Sequence, residues 1–388
     1  VLRARNLSLI AGVATAALVL TACGSSSTTA TAPTSSSTSS SASVAASAPA
    51  SSSPATSGAA DPFGAITGDP STVKLGMAYD GPKGDQSFTD SAARGVTAAT
   101  GKGVKLVAEL AATVGEPDQK KVDRLSQLVD QGANTIIAVG FDYATAMGTV
   151  AAANPNVHFA IVDDASLSDP TRKGGALKNV ASLTFAAEQS SYLVGVAAAL
   201  KSKTAHVGFI GGVNTPLINT FQAGFDAGAK AANASIKIDN KNITEPPDFS
   251  GFNAPDKGQT IAKGMYDGGA DVVYSAAGGS GNGVFKAAQT ASKFAIGVDS
   301  DQYKLPTLAS VKSVIISSAV KNVDVAVYNM IASVAAGKPL TGVQTYDLKN
   351  GGVGISYSGG AIDEFKTKID DYQAKIIAGT IKVPTTLS

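Results

Sequence analysis

Aspartates recur at one kind of position in this chain, directly after a short apolar run. Asp80 follows Val73 to Tyr79, Asp142 follows Val139-Gly140-Phe141, Asp163 and Asp164 follow Phe159-Ala160-Ile161-Val162, and Asp299 follows Ile296-Gly297-Val298. A carboxylate accepts hydrogen bonds two at a time, the chemistry that grips vicinal hydroxyls of a sugar or the donor edge of a base. Taken singly, each aspartate suits a helix cap or a turn as well; it is the recurrence that points to a ligand. Two aromatics stand at comparable places. Phe88 ends the polar turn Gly84-Asp85-Gln86-Ser87 before a helix patterned by Ala92, Val96 and Ala99, and Phe252 lies in Ser250 to Gly258 before another helix. Such a ring either covers a core or offers its flat face to a planar ligand. Two rings from two halves of a protein would sandwich a base.

Holding these residues requires strands that end where the aspartates begin. Apolar runs at Val73 to Tyr79, Val104 to Ala108, Thr135 to Val139 and His158 to Val162 alternate with helical patterns, and the rhythm returns at His206 to Ile210, Ile236 to Ile238, Asp271 to Ser275 and Phe294 to Val298. Near-continuous apolar strands suit parallel sheets covered on both faces, so the chain is predicted to be α/β, with two doubly wound, Rossmann-like lobes. Ligands of such sheets bind beyond the carboxyl ends of the strands, where the aspartates stand.

Composition argues against several other chemistries. A net charge of +1, 16% charged residues and no basic cluster give no nucleic-acid surface. His158 and His206 sit beside strand residues and read as structural, and neither a G-x-S-x-G elbow nor a Cys/His metal spacing occurs. Gly279, Gly281 and Gly283 lack the spacing and the lysine of a phosphate loop. Binding without a cofactor is expected, rather than catalysis.

The single cysteine, Cys23, closes a short apolar run that follows Arg3 and Arg5, in the order Leu20-Thr21-Ala22-Cys23-Gly24. This resembles a bacterial lipoprotein signal, which implies a signal peptide over 1–22 and lipid on Cys23. From residue 24 to about residue 60 the chain is almost wholly Ser, Thr, Ala and Pro, and 23–72 is expected to be a disordered tether.

Several segments resemble the basic membrane protein family, substrate-binding lipoproteins whose characterised members serve ABC importers of purine nucleosides. Asp85-Gln86-Ser87-Phe88-Thr89 is similar to the family's D-K-S-F-N, Phe159 to Asp163 to F-A-I-I-D, and Tyr192 to Ala198 to its F-L-A-G-x-A-A helix. Val207 to Gly212 with Pro216, Phe221 and Phe225 fits another stretch, as does Gly269 to Val273 leading to Gly278-Gly279-Ser280-Gly281. Ile296-Gly297-Val298-Asp299-Ser300-Asp301-Gln302 reads as the family's sequence unchanged, with Lys321 near Asp324 beyond it.

The resemblance implies a fold of the type I periplasmic-binding-protein kind, with a three-segment hinge. Lobe one would hold 73–183 plus 299–336, and lobe two 184–298 plus 337–388. Phe88 and Phe252 would stack on the purine, and Asp299 and Lys321 would hold the ribose. Asp80 and Asp163 would lie near the base and the mouth, Asp85 would be a further ligand-binding residue, and Gly279 would let backbone approach the ligand. Partners would be an ABC permease with its cytoplasmic ATPase and, through the lipid, the outer face of the cell membrane; the protein would be a monomer that binds no nucleic acid. Thr89 stands where the family has Asn, and Gly84 where it has Asn or Asp, so base selectivity is expected to be broader or shifted. A ribose- or galactose-type sugar receptor, and a surface enzyme acting on nucleosides, are the alternatives.

Overall fold

The computed structural model describes residues 62–387; the expected signal peptide, Cys23 and most of the expected tether lie outside them. The first sheet is built from β1 (Lys74–Tyr79), β2 (Lys105–Ala111), β3 (Thr135–Val139), β4 (His158–Val162) and β5 (Val180–Phe185), interleaved with α1 (Phe88–Thr100), α2 (Asp118–Asp130) and α3 (Ala144–Ala153). After α4 (Ala187–Lys201) come β6 (His206–Val213), α5 (Pro216–Ala232), β7 (Lys237–Thr244), α6 (Pro255–Asp267), β8 (Val272–Ala276), α7 (Gly281–Ala291), β9 (Phe294–Asp299) and β10 (Ile315–Lys321). The chain ends with α8 (Val323–Ala335), β11 (Gly342–Tyr346), β12 (Val353–Ile355) and α9 (Lys366–Ile377).

The strands form two six-stranded sheets, ordered β11-β5-β4-β3-β1-β2 and β12-β10-β9-β8-β6-β7. Every pairing is parallel except β10 with β12. The two-residue period of a strand explains the layers. In β3, Ile137 and Val139 enter the core shared with α1 and α8, while Ile136 and Ala138 enter the core on the opposite face. In β9, Ile296 and Val298 face one core and Ala295 the other.

The lobe boundaries differ from those expected. β10 pairs with β9, so 299–321 belongs to the second lobe, and β11 pairs with β5, so 342–346 belongs to the first. Edge pairing outweighed sequence proximity, because both strands find a parallel partner of their own sheet only there. The chain therefore passes between the sheets three times, after Phe185, Lys321 and Tyr346. Residues 62–72 also differ from the tether expected. Phe63 and Ile66 pack on the first core, and Tyr328 and Lys102 donate hydrogen bonds to the Gly64 carbonyl. These are the first large apolar residues after a long polar tract, and they belong to the first lobe rather than to a tether.

Helices α4 and α5 approach so closely that a Cβ on Gly228 would overlap the Tyr192 carbonyl oxygen. Neither backbone can shift without disturbing the second sheet. Gly228→Ala is expected to cost about 1–3 kcal/mol, measured by denaturant unfolding.

Candidate functional site

The carboxyl ends of both sheets border one cavity of about 340 Å³, lined by Asp80, Asp85, Phe88, Asp163, Phe252, Asp299 and Lys321. Seven of the eight ligand residues expected from sequence thus share one wall system. Gly279 is the exception. The tight turn after β8 points Gly278 at the cavity, while Gly279 is buried against Asn253 and the Asp85 backbone.

Asp163 directly after β4 and Asp299 at the end of β9 have φ of 68° and 60°. Aspartate tolerates this left-handed conformation better than most residues, and such strain gathers where a side chain must be aimed. Asp80 lies over Gly140, whose φ is 114° and where any Cβ would overlap the Asp80 carboxylate. Burial, reinforced by the charges of Asp85, Asp163 and Asp142, pushes the Asp80 carboxyl up to about 8, with Lys321 opposing. Asp299 is pushed up to about 6 by burial, against the pull of Lys321 and of the Ser87 hydroxyl, which donates to its Oδ2 at 2.5 Å.

Asp85 has a local task. Its Oδ1 accepts from the amides of Ser87 and Asp90 at 3.0 and 3.1 Å, and its Oδ2 from that of Thr89 at 2.8 Å. Burial raises its pKa, while these bonds from Thr89, Ser87 and Asp90 hold it down. The carboxylate caps α1 and thereby fixes Phe88, so it acts on the cavity through that ring. Phe252 lies with its ring over Gly212, where a Cβ would take the ring's place.

Lys321 is 2% exposed. Its Nζ donates to Asp163 Oδ2 at 2.5 Å and sits 4.5 Å from the Phe88 ring centroid, 5.1 Å from Phe185 and 5.8 Å from Phe221. Lys321 belongs to the second sheet and Asp163 to the first, so the ion pair joins the lobes. Asp163 Oδ1 is buried without a partner, an acceptor left for whatever enters. Ser300 Oγ donates to the Ser87 carbonyl at 3.0 Å and Gln302 Nε2 to that of Gln86 at 3.0 Å, so the lobes meet in a closed arrangement.

Sequence reasoning left Phe221, Phe141 and Phe249 out of the site, although all three line it. Phe221 carried a signal: it follows the capped helix start Thr215-Pro216, as Phe88 follows its own turn. Phe141 and Phe249 lie on connections without periodicity and left none. The arrangement provides flat apolar walls, hydrogen-bond acceptors and two paired cations, the inventory of a small-molecule site.

A model of the Bmp family, described as ABC transporter substrate-binding protein PnrA-like, matches residues 72–386. The chain is 36% identical over 285 residues to a CD4+ T-cell-stimulating antigen of Listeria monocytogenes, covering 70% of this chain and 75% of the relative. It is 37% identical over 269 residues to the ABC transporter nucleoside-binding protein BmpA of Lactococcus lactis, covering 66% and 72%. The solved structure of an ABC transporter solute-binding protein from Aeropyrum pernix superposes with a TM-score of 0.69 at 25% identity, over 81% of this chain and 94% of that one. The two α/β lobes with parallel sheets are the type I periplasmic-binding fold. Among the described residues no helix is long and apolar enough to cross a membrane.

Proposed function

We propose a function on one premise: this chain belongs to the Bmp family of PnrA-like ABC transporter substrate-binding proteins. It is an extracytoplasmic receptor, anchored by lipid on Cys23, that closes two lobes on a purine nucleoside and hands it to a permease driven by a cytoplasmic ATPase. No bond of the ligand is made or broken. The observation that carries this reading is the cavity itself, where Phe88 and Phe252 supply aromatic walls and Asp163 Oδ1 is a buried acceptor without a partner. The aromatic rings suit a base, and the acceptors suit ribose hydroxyls. The nucleoside-binding name of the Lactococcus relative points the same way. Asp80, Asp163, Asp299 and Lys321 supply the polar contacts, with Asp85 placing Phe88.

The lining carries five aspartates, of which burial holds Asp80 protonated, against two lysines, Lys83 and Lys321, which are already paired with Glu109 and Asp163. An additional phosphate would be repelled, so the site selects nucleosides over nucleotides. A thermal-shift panel of guanosine, adenosine, inosine, cytidine, ribose and galactose tests the reading. A ligand at 100 times its Kd adds about 2.7 kcal/mol of stability. Purine nucleosides are expected to raise Tm, inosine 5′-monophosphate to leave it unmoved, and Phe88→Ala to weaken inosine binding by roughly 5- to 150-fold, the range of a lost base stack. Stabilisation by galactose but by no nucleoside would make this a sugar receptor instead.

A further inference from the structure

Two rings from opposite lobes meet at the cavity and take no part in the binding set above. Phe141 follows β3, and Phe249 follows β7 in a short turn whose start is fixed by Asp248 accepting from the Ser250 amide at 2.9 Å. Their centroids are 6.1 Å apart with the planes inclined at 59°, and both line the cavity. This is an edge-inclined pairing that attracts beyond simple burial.

Position gives the pair its meaning. The chain crosses between lobes from β5, β10 and β11, on one side of both sheets. β7 is the edge strand farthest from β10 and β12 in its sheet, and β3 is separated from β11 by two strands. The pair therefore stands away from the crossovers, on the side where rotation about them moves atoms furthest. Opening must part these rings, while the polar groups of Lys321 and Asp163 lie close to the crossovers and move less.

We propose that Phe141 and Phe249 are positioning residues that form an aromatic gate at the mouth of the cleft, and that their contact sets how long the ligand stays. The inference rests on the two-lobe binding reading but not on the ligand's being a nucleoside. A contact made only on closing stabilises the closed complex and leaves the encounter with the open form alone, so it acts on dissociation.

The test is a double-mutant cycle on the full chain, using stopped-flow exchange of inosine. Phe141→Ala and Phe249→Ala are each expected to raise the dissociation rate roughly 3- to 10-fold with the association rate changed less than twofold, and the double variant is expected to dissociate no faster than the faster single variant. Phe141→Leu and Phe249→Leu, which keep apolar bulk without a ring, guard against loss of fold and should give smaller increases of the same kind. Unchanged dissociation in the single variants, or additive effects in the double, overturns the gate. If inosine leaves Tm unmoved, the nucleoside reading fails separately and the rates are read with galactose. Should neither bind, amide exchange in the ligand-free protein decides: Phe141→Ala must speed exchange across Phe249–Phe252 in the opposite lobe, and no change there overturns the gate.

Discussion

Lys321→Met is expected to lower unfolding free energy by roughly 3–5 kcal/mol, the cost of leaving a buried charge without its partner. The geometry makes this a demanding case. Lys321 and Asp163 have side chains only 3% and 4% exposed, so little water reaches Asp163 Oδ2 to replace the missing ammonium, and the other oxygen is already unpartnered. Methionine would fit the cage of Phe88, Phe185 and Phe221 in length and polarity, so packing loss contributes little. The double variant Lys321→Met with Asp163→Asn should recover most of the loss, since it removes the stranded charge. Urea unfolding of Lys321→Met, Asp163→Asn and the double variant measures the coupling, and a Lys321→Met protein as stable as the parent would show that the pair is not held closed in solution. Ligand affinity should fall in both Lys321 variants, because neither restores the cation at the cavity wall.

That pair also shows where sequence stops being informative. Asp163 was legible because it ends an unbroken apolar strand, and Lys321 because Ser318-Ala319-Val320-Lys321 carries a family likeness. Their meeting was not, since they are 158 residues apart and nothing local in β10 tells that it pairs with β9 in the second lobe. Strand ends can be read locally, whereas the sheet a strand joins depends on which edge is vacant. β12 has only three residues and β11 alternates exposed and half-buried positions, so neither offers the continuous apolar signal that marked β3 or β4. Asp85 shows the opposite failure: residue type and place suit a ligand contact, yet the backbone amides two, four and five positions further on have first claim on its oxygens. A carboxylate just before a helix serves the helix unless the helix start is satisfied otherwise.

The second large effect is one of pH. Asp80 carries a proton in the folded protein up to about pH 8, because burial and three neighbouring aspartates disfavour its charge. In the unfolded chain an aspartate loses its proton near pH 4. Between these values the folded state holds a proton that the unfolded state has released, so unfolding releases it and stability falls as pH rises. Asp299, pushed up to about 6, adds to the same slope over the lower part of the window. Ligand-free protein should therefore lose stability between pH 5 and pH 8, and Asp80→Asn, which keeps shape without a titrating proton, should flatten that slope. Solvent reaching Asp80 through the cavity trims the full linkage value, leaving an effect on the order of 2–4 kcal/mol at pH 8. Melting curves of parent and Asp80→Asn at pH 5, 6.5 and 8 measure it: the variant's advantage over the parent should be smallest at pH 5 and grow to its largest at pH 8. Parallel curves at all three values would mean that Asp80 ionises normally, its charge balanced by a closer approach of Lys321 than the Asp163 pairing allows. Asp80→Asn should also leave guanidine unfolding at about pH 3 unchanged, because below the unfolded aspartate's pKa both folded and unfolded parent are largely protonated at this position, which separates a titration effect from a general loss of packing.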